Sequence, residues 1–190
     1  MREIRYSQIR FGERYFEITD AVKELIESIA DKLMVEYSLS RADFNERVLN
    51  ANVHLQYLTA VLGDIKGKRV LDLGCGSCSF SPDFGIENFL AEPWLCRILY
   101  ALGNNPVGID IRSLDGEEFE YHSSCLLIPD SLAILPDSCF DVIHSRSLFD
   151  SPGLLISRGS DSGYLMYQRI RAQVPRILVP EGIFLHDYGD

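Results

Sequence analysis

The sequence predicts an open, doubly wound α/β fold: a mostly parallel sheet of about five strands, with an N-terminal helical extension. Three observations carry this expectation. Short apolar runs without period-two alternation recur after Gly67, helical stretches separate them, and the first 63 residues show helical spacing only. Runs that are apolar on both faces belong to parallel strands covered on both sides. The connections between them are expected to be right-handed crossovers. The chain therefore divides into residues 1–63, an extension or lid, and residues 64–190, the α/β core.

In the extension, Phe16, Val22, Leu25, Ile26, Ile29, Leu33 and Met34 recur at i, i+3 and i+4, which predicts an amphipathic helix over 19–37 capped by Thr19 or Asp20. A second helix is expected after Ser40. Asp43 makes a weak capping box there, Phe44, Val48, Leu55, Leu58 and Leu62 form its apolar face, and Gly63 suits its C-terminal cap.

The first core strand is Arg69–Gly74. Helical spacing follows over 86–103, with Pro93 expected to kink that helix or mark its true start, and Gly103-Asn104-Asn105-Pro106 ends it. Val107–Ile111 reads as strand two. Strand three is placed at Cys125–Ile128; a rival register puts it at Phe119–His122 and leaves Asp130 in a loop. Phe140–Ser145 is strand four, residues 151–163 a Ser- and Gly-rich loop, Tyr164 to about Val174 a helix, and Ile183–His186 strand five.

Composition narrows the function classes. Eighteen basic and 28 acidic residues give a formal charge of −10, which argues against a phosphate-backbone binder. No run approaches the ~18 apolar residues of a membrane span. Five cysteines, an odd number, and an opening Met1–Arg5 without the apolar core of a signal peptide lead us to expect a reduced cytoplasmic protein. Cys75 and Cys78 make a Cys-x-x-Cys spacing that overlaps the glycine turn. No second pair completes a zinc site, so packing is the expected role and no metal is expected.

The sharpest local feature is Val70-Leu71-Asp72-Leu73-Gly74-Cys75-Gly76, an apolar strand running straight into Gly-x-Gly. Glycine there allows positive φ and lets a ligand approach the backbone without a Cβ in the way. In a doubly wound sheet the ligand binds at the carboxyl ends of the strands. With Asp110 ending the second strand, an acidic side chain and a bare bend would share that end.

Asp72-Leu73-Gly74-Cys75-Gly76 resembles the first motif of the class I S-adenosylmethionine-dependent methyltransferases. Asp110 matches that family's acidic residue for the ribose hydroxyls, Leu135–Asp141 its entry into strand four, and Pro180-Glu181-Gly182 its Pro-Gly-Gly turn. The resemblance covers roughly 64–190 and implies a Rossmann-like fold and methyl transfer from S-adenosylmethionine. A small-molecule acceptor is expected, because no Asn/Asp-Pro-Pro-Tyr follows strand four. The cofactor set it implies is Asp72, Gly74, Cys75, Gly76, Asp110, Ile111, Asp130 and Ser145, with Asp130 facing the adenine. No catalytic residue is named. Arg146 and Asp150 are candidates for substrate contact, and His144 and His186 lie near the ends of strands four and five.

Three departures from the family pattern stand out. Cys78 replaces a small residue, Asp72 to Asp110 is a long first unit, and the last two strands are missing. A bare edge strand invites association, so a homodimer or another covering element is expected. The departures also leave open a methyltransferase-like interaction protein without catalysis. A nicotinamide-dinucleotide enzyme ranks last, because the third glycine is absent and the acidic residue falls too late.

Overall fold

A computed structural model of the chain describes residues 1–76, 92–149 and 161–189, together with the backbone of 80–81 and 86–87. Its centre is a six-stranded, all-parallel sheet of β1 (Arg2–Arg5), β2 (Val70–Leu73), β5 (Val107–Asp110), β6 (Glu120–Ser123), β7 (Phe140–Ser145) and β8 (Leu178–His186), in the spatial order β1-β8-β7-β2-β5-β6. A separate antiparallel ribbon pairs β3 (Phe80–Ser81) with β4 (Ile86–Glu87). Four α-helices, α1 (Tyr15–Glu36), α2 (Arg41–Leu62), α3 (Trp94–Ala101) and α4 (Ser162–Ile177), and two short 3-10 helices, Tyr6–Gln8 and Gly12–Arg14, complete the described elements. Among the described residues no helix is long and apolar enough to cross a membrane.

The fold class is as the sequence predicts, with six strands instead of five. The additional strand is β1, whose Arg2–Arg5 pair in parallel register with Ile183–His186. It lies on the edge of β8 that the sequence left bare, so the covering element comes from the chain itself. Residues 1–63 thus add a strand to the sheet and two helices to one of its faces.

Alternation along each strand divides the core in two. Val70, Val142, Ile183 and Leu185 point to the face covered by α1, α2 and α3, where they meet Val22, Ile26, Leu33, Phe44, Leu55, Leu58, Trp94 and Ile98. Leu71, Leu73, Ile109, Ile143 and Phe184 point to the other face and meet Ile170 and Val174 of α4. Successive strand side chains point to opposite faces, so Asp72 and His144 lie on the α1–α3 face, while Ser145 and His186 lie on the α4 face.

Several boundaries move. Helix α1 begins at Tyr15, after a 3-10 turn, and Thr19 is no cap: its hydroxyl donates back to the Tyr15 carbonyl inside the helix. Helix α2 is as expected, with the Ser40 hydroxyl accepting from the Asp43 amide and Gly63 at φ +78° closing it. Helix α3 starts only at Trp94, with Pro93 as its cap, and Ile86–Glu87 belongs to the ribbon. Pro180-Glu181-Gly182 lies within β8 as the bulge that shifts the register against β7 between Phe140 and Val142. The third core strand is Glu120–Ser123, close to the rival register. Cys125–Ile128 is a turn, held by the Ile128 amide on the Cys125 carbonyl, and it sends Leu126 into the α4-side core.

Candidate functional site

The strand order changes direction at β2. From there the chain moves outward through β5 and β6, then returns to the other side with β7 and β8. The gap between β2 and β7 is therefore the switch point, where a doubly wound sheet leaves a crevice at its carboxyl end. A cavity of about 170 Å³ lies there. Asp72, Gly74 and Cys75 reach it from β2, His144, Arg146 and Ser147 from β7, Arg47, Asn50, Ala51 and His54 from α2, and Glu92, Trp94 and Leu95 from the start of α3.

Register builds the floor. Asp72 and His144 are cross-strand partners on the same face. His144 Nδ1 lies 2.7 Å from Asp72 Oδ1, and its Nε2 meets the Tyr6 hydroxyl, which comes from the turn after β1. A carboxylate only accepts, so Nδ1 carries the proton and donates to Asp72. In neutral His144, Nε2 then accepts the Tyr6 hydroxyl. Burial, and then the Asp72 charge, raise Tyr6 well above its ordinary range, so the phenol keeps its proton. Cys96 Sγ approaches the other Asp72 oxygen at 3.9 Å. Both Asp72 and His144 are buried.

Above this floor sits the His54 ring, its centroid 4.9 Å from that of His144. His54 Nδ1 is buried and has no hydrogen-bond partner among the described residues. Burial chiefly, then His144 and Arg146, push its pKa well below the ordinary 6.5. His186, buried on the opposite face against Glu3, is also lowered, mainly by burial. Below about pH 6.5 the unfolded chain takes up protons that the folded chain refuses, so acid favours unfolding. Urea midpoints are accordingly expected to fall between pH 7.5 and 5.5; a flat or rising midpoint would contradict the burial of these rings.

The glycine bend is tied to β5. The Gly74 and Cys75 amides donate to the Ile109 carbonyl at 2.8 and 3.2 Å, and the Gly76 amide donates to Asp110 Oδ2 at 3.0 Å. Asp110 Oδ1 accepts from the Ile111 amide at 2.7 Å, so two backbone amides orient this carboxylate. Gly74 has φ +72°, and a Cβ there would lie 2.9 Å from Leu148 Cδ1. Gly108 is closely packed as well: a Cβ there would sit 2.7 Å from Cys75 Sγ, which would have to shift.

Of the sequence-predicted set, Asp72, Gly74 and Cys75 line the cavity, while Gly76 and Asp110 form a ledge beside it at the end of β5. Ile111 follows on that ledge and is exposed. Ser145 is buried on the α4 face, away from the cavity lining, as the alternation along β7 requires. Asp130 lies on an exposed turn at φ +59°, seven residues beyond the end of the third core strand, so the register that brought it to a strand end does not hold. Arg146 does line the cavity; Asp150, Cys78 and most of the Ser79–Gly85 stretch lie outside the described residues. Sequence reasoning missed Tyr6 and His54. The apolar spacing of α2 could have placed His54 beside Leu55 and Leu58 on its inner side, but nothing local marks Tyr6.

The fold and this crevice define a doubly wound α/β protein with a polar cavity at its switch point. No family model matches the sequence, and no curated protein aligns with it significantly. Among the described residues no cluster of His, Cys, Asp and Glu could hold a metal ion.

Proposed function

We propose that the chain binds S-adenosylmethionine and transfers its methyl group to a small molecule. The observation that carries this reading is the coincidence, at one switch point, of the Gly74–Gly76 bend, the Asp110 carboxylate oriented by the Gly76 amide, and an adjoining polar cavity. S-adenosylmethionine, when bound, supplies a methyl carbon made electrophilic by its sulfonium. The residues present fit such a group. A carboxylate ending β5 is an acceptor for a diol, and the glycines of the bend allow close approach.

The cavity is smaller than the roughly 300–1,000 Å³ of drug-sized pockets. It suits the reacting end and the acceptor, with the nucleoside on the Gly76–Asp110 ledge outside it. The chain's contribution is to hold the acceptor in line with the methyl carbon and to keep water out, which by itself lowers the barrier substantially.

The same small volume favours a second reading, a binding protein of this fold without catalysis. Isothermal titration with S-adenosylhomocysteine is expected to show binding, and single-turnover transfer separates the two readings. Absence of binding at millimolar ligand would remove both.

A further inference from the structure

Two side chains that line the cavity, His54 and Arg146, are chemically complementary to one kind of molecule. The first is His54, whose Nδ1 is buried and without a hydrogen-bond partner among the described residues. A buried unsatisfied polar atom is rare enough to require a reason. The usual remedy of pairing with a neighbour is closed, because both nitrogens of the adjacent His144 are already engaged by Asp72 and Tyr6. The second is Arg146. Its guanidinium lies 5.6 Å from the centre of the Tyr6 ring and makes no ion pair with a described residue. The other cation lining the cavity, Arg47, is paired with Glu92 at 2.5 Å.

We propose that this wall is the acceptor subsite for a small hydroxy acid, its carboxylate paired with Arg146 and its hydroxyl donating to His54 Nδ1. The assignment rests on the methyl-transfer reading for its chemistry but not for its geometry. One guanidinium balances one negative charge, which suits a carboxylate better than a phosphate carrying −1.5 to −2. A volume of about 170 Å³ equals roughly six water molecules at about 30 Å³ each, room for a single-ring compound. In the transfer, the acceptor's oxygen–hydrogen bond breaks toward His54 Nδ1. The freed electron pair makes the oxygen–methyl bond, while the pair of the methyl–sulfur bond stays on sulfur. His54 is held neutral by its surroundings, so its ring nitrogen can accept the hydroxyl hydrogen bond before transfer.

The experiment titrates the whole protein with 2-, 3- and 4-hydroxybenzoate, which span different hydroxyl–carboxylate distances, and with benzoate and phenol, each lacking one group. Binding is read by calorimetry and by the His54 ring resonances. At least one hydroxybenzoate is expected to bind about tenfold tighter than both benzoate and phenol and to shift the His54 signals. Arg146→Met should reduce it to the level of phenol, and His54→Phe should make it equal to benzoate. Equal binding of all five compounds, or an Arg146→Met variant that binds like wild type, would overturn the subsite. S-adenosylhomocysteine is titrated in parallel. Its binding without that of any hydroxybenzoate removes the subsite alone; hydroxybenzoate binding without it keeps the subsite and removes the methyl-transfer reading.

Discussion

Replacing Arg97 by methionine is expected to destabilise the protein by about 3–5 kcal/mol, the range for removing one partner from a buried ion pair. Arg97 lies on α3 and is nearly inaccessible. Its Nη1 meets Glu92 at 2.5 Å, its Nη2 meets Glu117 at 2.6 Å, and its Nε donates to both Glu117 oxygens. Its guanidinium also stacks 4.3 Å from the Tyr37 ring centre and 4.7 Å from that of Trp94. Methionine keeps much of the volume and none of the charge. Glu117 would then retain the Tyr37 hydroxyl, and Glu92 would retain Arg47, neither enough for a buried carboxylate. A whole domain is typically stable by only 5–15 kcal/mol, so a large shift in the urea midpoint should follow. Adding Glu117→Leu should recover part of it, since an apolar replacement of both partners is often neutral. A loss under about 1 kcal/mol would mean that the network behaves like a surface pair.

Asp72→Ala is the second large effect, expected at roughly 3 kcal/mol or more. A hydrogen bond to a charged group contributes about 1.5–3 kcal/mol, and stranding a buried donor adds about 1–3. The variant removes the acceptor of His144 Nδ1–H and the neighbour of Cys96 together. Tyr6→Phe, which removes the donor on the other side of the same ring, should be milder. The two should not add, because His144 links them; a coupling of at least 0.5 kcal/mol is expected in a double-mutant cycle. Strict additivity would mean that the three side chains do not act as a unit.

What the sequence reveals follows from where the energy is local. The inner strands are legible because burial on both faces favours runs rich in apolar residues, as with Val70, Leu71 and Leu73 or Phe140, Val142 and Ile143. The start of α2 is legible because Ser40 and Asp43 cap within one turn. The two edge strands are not. Arg2–Arg5 and Glu120–Ser123 are short and polar, as edges must be to resist pairing with other chains, so they lack the apolar signal. Cys125–Ile128 carries that signal for another reason: Leu126 packs into the core from a turn. At the site, the strand-end residues Asp72, Gly74 and Asp110 were readable. The Asp72–His144 pair needed the register of β2 on β7, and Tyr6 reaches His144 across 138 residues of sequence.

On the proposed function, the Asp110 carboxylate and the glycine bend together recognise the adenosine of S-adenosylmethionine. Calorimetric titration of wild type and Asp110→Ala with that ligand, with folding of both checked by thermal melts, tests it most directly. Saturable wild-type binding is expected, weakened about 10- to 100-fold by the substitution, as for losing hydrogen bonds to a charged acceptor. Equal affinity in two folded proteins would contradict it.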